Sequence, residues 1–233
     1  MTFKGLIFDK DGTLFHFQES WGDWMYQVID ELTDGKTGEK NLMADSLGFS
    51  LKEKEFLKNS VFIAGAAGEF LSCIEPYSQN LKGDDLMEFI TNKSINLVQK
   101  PVTNLPLLFH QLKSKNILLG IATNDCEKPA LAQLEAAKIL TYFDFVAGSD
   151  SGYGAKPKAG QLLKFLSEFN LVPNDVAMIG DSTYDLKAAK TAQMYSLGVL
   201  TGVATEKELS PYADIILKSI EDLPDWLQLN TTR

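Results

Sequence analysis

The chain has 233 residues, 45% hydrophobic and 23% charged, with a formal net charge of -9 and a pI near 4.8. This is enough apolar content and length for a buried core in one large domain or two unequal ones. The acidity and the lack of a Lys/Arg cluster argue against a nucleic-acid partner, and no apolar run reaches the ~18 residues of a membrane span. The two cysteines, Cys73 and Cys126, are too few for a disulfide framework and have no metal-ligand spacing. The opening MTFKGLIFDKDG has too short an apolar stretch for a signal peptide, with acids following at once. A cytoplasmic protein with reduced thiols is expected.

The first element is the apolar run Gly5-Leu6-Ile7-Phe8, which ends abruptly in Asp9-Lys10-Asp11-Gly12-Thr13 and suits a buried strand. Helical texture follows. Trp21, Trp24, Met25, Val28, Ile29 and Leu32 share one helix face. Asn41–Leu47, Leu51–Leu57, Gly68–Ile74 and Asp84–Val98 also read as helices, making an all-helical insert over 17–101. Beyond Pro101 strands and helices alternate. Helices are expected over Leu105–Lys115, Pro129–Lys138, Gly160–Phe169 and Tyr184–Ala192. Strands are expected over Ile117–Ala122, Phe143–Ala147, Asp175–Ile179, Tyr195–Leu200 and Ala213–Leu217. Such alternation predicts an α/β fold, a doubly wound parallel sheet formed by residues 1–16 and 102–233. Ligands of these sheets bind beyond the carboxyl ends of the strands. The polar clusters at Asp9, Thr123 and Asp181 each follow a strand directly, so the fold is expected to gather them at one edge.

Four clusters stand out there. Asp9 and Asp11, one residue apart, point the same way from a strand end, and Gly12 lets the chain turn with its amides accessible. Paired carboxylates suit Mg²⁺ binding or a division of nucleophile and acid/base roles, although acids and glycine also make ordinary turns. Ile179-Gly180-Asp181-Ser182-Thr183-Tyr184-Asp185 adds an acid at a strand end and another at a helix start, where it could equally be a cap. Thr123-Asn124 offers a hydroxyl and amides ahead of a helix, either an anion site or a plain turn. Gly154-Ala155-Lys156-Pro157-Lys158 puts a lysine, suited to phosphate, in a loop where most lysines are simply solvated.

In order and spacing the set resembles the four motifs of haloacid dehalogenase superfamily hydrolases. Asp9-Lys10-Asp11-Gly12-Thr13 is similar to the first, Thr123 to the second, Lys156-Pro157 to the third, and Gly180-Asp181-Ser182 through Asp185 to the fourth. The helical insert lies where the superfamily places its helical cap of the first type, and the phosphoglycolate phosphatase-like branch is most similar. Two departures are visible. Ala159 stands where that branch often reads Lys-Pro-x-Pro, which leaves Lys158 as a rival to Lys156, and Ala192-Gln193-Met194 stands where Ala-Gly-Met is usual.

The resemblance implies a Mg²⁺-dependent phosphatase of a small phosphorylated metabolite, acting through an aspartyl-phosphate, as a monomer or homodimer. Asp9 is the implied nucleophile and Asp11 the acid and base. Thr123 and Lys156 complete the catalytic set, and Thr13, Thr123, Asn124 and Lys156 are expected to bind substrate. Asp9, Asp11 (through its backbone carbonyl), Asp181 and Asp185 are the expected metal residues. Asp185 either touches the ion or, by preference, orients Lys156 or an ion-bound water. Asp11 argues against dehalogenase and phosphonate-hydrolase chemistry. A sugar-phosphate mutase keeps all four motifs and stands as the alternative, with a phosphorylatable or binding module behind it. The segment Phe62–Glu69 is the expected specificity loop. Trp21, Trp24 and Tyr26 are read as packing, His16 as a hinge or surface residue, and His110 is given no role.

Overall fold

A computed structural model describes residues 3–64, 67–78 and 80–231. The chain divides into two compact units, Met1–Phe17 with Gln99–Arg233, and Gln18–Val98.

The larger unit holds a six-stranded sheet. Its strands are β1 (Gly5–Phe8), β4 (Leu118–Ala122), β5 (Phe145–Ala147), β6 (Val176–Gly180), β7 (Tyr195–Val199) and β8 (Ile215–Leu217). Their spatial order is β5-β4-β1-β6-β7-β8, and every neighbouring pair is parallel. The doubly wound α/β expectation is therefore met. Strands inside such a sheet are covered on both faces and read as unbroken apolar runs, and all four residues of β1 are buried.

Alternation sorts these strands between two cores. Leu6, Phe8, Leu119, Ile121, Ala177 and Ile179 pack with Leu105, Leu108, Phe109 and Leu112 of α6 (Leu105–Lys113) and with Leu223, Trp226 and Leu227 of α11 (Leu223–Thr231). The Phe8 and Phe109 rings meet edge to face at 5.5 Å. On the other side, Ile7, Ala122, Val176 and Met178 pack with Leu162 and Phe165 of α8 (Gly160–Phe169) and with Ala188 and Ala189 of α9 (Thr183–Thr191). Fully burying one such side chain contributes roughly 1.5–3 kcal/mol. Helix α7 (Glu127–Ala136) and the short α10 (Glu206–Leu209) complete this unit.

The smaller unit contains α1 (Phe17–Leu32), whose first residue belongs to the larger unit, α2 (Thr37–Leu47), α3 (Val61–Ala64), α4 (Ala67–Ile74) and α5 (Gly83–Ile95). The six apolar residues expected to share one face of α1 are all buried. The helix expected over Leu51–Leu57 is absent. In its place β2 (Phe49–Ser50) and β3 (Glu55–Phe56) pair as an antiparallel hairpin. Phe49 and Phe56 face each other across it at 5.1 Å, and Lys54 turns through a φ of 56°. An aromatic cross-strand pair and a left-handed turn residue outweigh the helical propensity of Leu-Lys-Glu-Lys here. Within the expected specificity loop, Phe62 and Ile63 lie in α3, and Gly65 and Ala66 lie outside the described residues. Trp21 and Trp24 are buried, 5.0 Å apart, and pack on Phe62. No helix among the described residues is long and apolar enough to cross a membrane.

After α9 the exposed Gln193 adopts a φ of 58°, which costs any residue bearing a Cβ. This is the position where the resembled motif has glycine. Gln193→Gly is expected to stabilise the fold by on the order of 0.5 kcal/mol, net of the chain entropy that glycine adds. A melting temperature raised by roughly 1–2 °C would show it; an unchanged or lower value would contradict the account.

Candidate active site

Register places the site. Phe8 of β1 is level with Ile121 of β4 and with Ile179 of β6. The three adjacent strands thus end together, and Asp9, Thr123 and Asp181 leave one edge of the sheet side by side. The Asp9 amide donates to the Ile179 carbonyl at 2.9 Å, so the ladder reaches the backbone of Asp9. Sheet order also reverses at β1, with β4 and β5 to one side and β6, β7 and β8 to the other. That is the topological switch at which such sheets bind ligands.

Lys156 Nζ lies 2.8 Å from Asp9 Oδ1 and 2.6 Å from Asp185 Oδ1, and its side chain is 2% exposed. Lys158 is exposed, so geometry separates the two lysines that the motif left open. Burial works against the Lys156 ammonium, but Asp185 and Asp9 together hold its pKa above the usual lysine range. Asn124 clamps the lysine's backbone: its Nδ2 donates to the Lys156 carbonyl at 2.9 Å, and its Oδ1 accepts from the Lys156 amide at 2.8 Å. The Asn124 side chain thus positions the Lys156 backbone. Thr123 is buried, with its hydroxyl accepting from the Asp125 amide at 3.1 Å.

Asp185 answers both readings of its position. With Ser182 it forms the capping box of α9, its Oδ2 accepting from the Ser182 amide at 3.0 Å and hydroxyl at 2.6 Å. Its Oδ1 meanwhile takes Lys156. Both oxygens are engaged, which suits orienting the lysine. Asp181 is buried beside them. The buried Thr13 hydroxyl donates to Asp181 Oδ1 at 3.2 Å and so holds that carboxylate. Gly12, at a φ of 83°, and Gly202 both press on this carboxylate, and a Cβ added to either would overlap it.

One oxygen from each of Asp9, Asp181 and Asp185 falls within 4.8 Å of the others. Three carboxylates share a single ammonium, which leaves excess negative charge in a largely buried site. Burial pushes the Asp9 carboxyl up to about 7, against the pull of Lys156 and with added repulsion from Asp185 and Asp11. Burial, then repulsion from Asp9 and Asp185, raises Asp181 well above the ordinary carboxylate range. An all-oxygen donor set with unbalanced negative charge and no space for another side chain fits a hard divalent cation.

The Asp11 carboxylate is not in that group. Its Oδ2 lies 2.5 Å from Lys10 Nζ, and its Oδ1 accepts from Gln99 Nε2 at 3.1 Å. His16 is half-buried and His110 exposed. Sequence reasoning did not single out Lys10, Gln99, Gln133, Thr201 or Gly202. Lys10 was visible as the charged residue between two acids. The others come from distant segments whose approach no local pattern signals; the Thr201 hydroxyl, for one, donates to the Gly12 carbonyl at 2.7 Å.

The chain is similar to known proteins over different extents. It is 38% identical over 98 residues to "Probable phosphatase IndB" of Dickeya dadantii (strain 3937), covering 42% of this chain and 43% of that one. It is 33% identical over 113 residues to the phosphoglycolate phosphatase of Escherichia coli (strain K12), covering 48% and 45% respectively. These matches thus span less than half the length of either relative. In fold it resembles a solved HAD phosphatase from Thermococcus onnurineus with a TM-score of 0.63, at 21% identity over 96% of this chain and 97% of that one. The sequence model of the haloacid dehalogenase-like hydrolases matches residues 6–199, from within β1 through the end of β7, and the chain belongs to that family.

Proposed function

We propose that the chain is a Mg²⁺-dependent phosphatase of a small phosphorylated metabolite, with Asp9 as nucleophile. The observation that carries this reading is Lys156 seated between Asp9 and Asp185 at the carboxyl edge of the sheet, with Asp181 beside them. The names of the Dickeya and E. coli relatives support it. Asp9, Asp181 and the Asp11 backbone carbonyl would hold Mg²⁺, with Asp185 adjoining. When bound, the ion offsets the repulsion between an anionic nucleophile and an anionic phosphate.

In this mechanism an Asp9 oxygen attacks phosphorus as the bond to the leaving oxygen breaks, and Asp11 gives that oxygen a proton. Asp11, now ionised, takes a proton from water. The resulting hydroxide attacks the aspartyl-phosphate, releasing inorganic phosphate and restoring Asp9. Lys156, the Thr123 hydroxyl and nearby amides stabilise the equatorial oxygens. Phosphoryl transfer depends mainly on such positioning and charge neutralisation. Asn124 and Asp185 hold Lys156 in place, and Thr13 holds Asp181.

The protein is expected to release phosphate from an aryl phosphate with Mg²⁺ and to stop when the metal is chelated. Full activity after exhaustive chelation would contradict the reading. Phosphoglycolate, named for the E. coli relative, is the first metabolite to try. A pH effect should accompany this. Burial holds Asp9 up at about 7 and Asp181 well above its usual range, so protons compete with the ion. The Mg²⁺ concentration for half-maximal activity is expected to rise as pH falls through about 7. A requirement unchanged between about pH 6 and 8 would contradict this competition.

A further inference from the structure

Lys10 lies between the two acids of the first motif, and its side chain is 0% exposed. A lysine is almost never buried without partners, because desolvating an ammonium is costly. The fold supplies partners from three separate segments. Lys10 Nζ lies 2.5 Å from Asp11 Oδ2, 3.2 Å from Asp125 Oδ2 in the turn after β4, and 2.6 Å from Gln133 Oε1 on α7. Gln99 approaches the same acid from the other side. Its Nε2 donates to Asp11 Oδ1 at 3.1 Å and to Gln133 Oε1 at 2.7 Å. Both Asp11 oxygens are therefore held, and Gln133 ties the two donors together. If stability alone were at issue, a buried apolar side chain would serve as well as this ion pair. Lys156, the site's other buried lysine, already faces Asp9.

We propose that Lys10 is a positioning residue: together with Gln99 it fixes the Asp11 carboxyl group in the orientation from which it exchanges protons with the leaving oxygen and with water. This rests on the phosphatase reading above. A mispositioned acid/base group should lower turnover without weakening phosphate binding, and should matter most where the leaving group most needs a proton.

The test measures wild type, Lys10→Met, Asp11→Asn, the double variant and Gln99→Leu with Mg²⁺, using p-nitrophenyl phosphate and phenyl phosphate. Lys10→Met is expected to lower kcat by about 10- to 100-fold with KM within about twofold, the scale of acid–base catalysis partly lost. The loss, read as kcat/KM because that ratio reports the step expelling the leaving group, should be larger for phenyl phosphate, whose leaving group is the poorer one. In the Asp11→Asn background the Lys10 substitution should cost nothing further, because residues acting as a unit are not additive. Gln99 is half-buried, so its variant keeps the test open if Lys10→Met fails to fold; it should show the same signature at smaller amplitude. An active wild type in which the Lys10 loss, or the Gln99 loss where Lys10→Met does not fold, is equal for both esters or persists undiminished beside Asp11→Asn would overturn this inference alone. A wild type inactive on both esters would overturn the phosphatase reading and this inference with it.

Discussion

Replacing Asp9 with asparagine is expected to cut phosphate release by at least about 10⁴-fold, the scale of losing a nucleophile on which every later step depends. Asparagine matches aspartate in shape, so the loss would be chemical. Folding should confirm this. Asp9 carries a pKa of about 7 because burial disfavours its charge. A carboxyl raised in the folded state burdens the fold increasingly as pH climbs from the ordinary carboxylate range towards that value. The burden is absent in acid and complete above neutrality. Without metal at about pH 8, the Asp9→Asn protein is therefore expected to melt no lower than wild type. A variant that keeps full activity, or one that loses activity only because it unfolds, would contradict the role given to Asp9.

Lys156→Met carries the second large effect, and here activity and stability should fall together. The ammonium is buried against two carboxylates. Removing one partner of a buried ion pair costs about 3–5 kcal/mol, lowering the melting temperature by on the order of 10 °C. Because Asp185 and Asp9 raise the Lys156 pKa despite burial, the stabilisation is fully present below the unfolded lysine value. It is lost only in strongly alkaline solution, and because Asp9, held at about 7, faces the ammonium as a carboxylate only above that value, the deficit should widen as pH rises through neutrality. Turnover should drop by about 10²- to 10³-fold, as when one preorganised electrostatic donor is removed. Lys158→Ala, at an exposed position in the same loop, should leave both quantities near wild type. The reverse pattern would reassign the third motif to Lys158.

The central strands were legible because they are buried on both faces and end at once in polar residues, as in Gly5–Phe8 before Asp9 and Val176–Gly180 before Asp181. Their bounds fell within one or two residues of the expected ones. The hairpin at Phe49–Phe56 was not legible, because its pairing depends on two rings meeting across a turn whose residues individually favour helix. Nor was α11, which packs Trp226 against Phe3 from the opposite end of the sequence and against Tyr195 at the start of β7.

At the site, sequence carried residue types and strand ends but not which polar group each side chain would choose. Thr13 and Asn124 both sit in motif loops, and spacing cannot tell a hydroxyl aimed at Asp181 from one awaiting a phosphate. Gln99 and Gln133 are legible only once the chain has folded, since they meet Asp11 and Lys10 across 88 and 123 positions of sequence.

Trapping the phospho-enzyme reveals whether the phosphoryl group passes through Asp9. Protein mixed with Mg²⁺ and an aryl phosphate, quenched in acid and digested, is expected to yield a peptide spanning Asp9 heavier by one phosphoryl group. Asp11→Asn should increase its amount by slowing the release of phosphate. A catalytically active protein that never carries phosphate on Asp9, or carries it on another residue, would contradict the account.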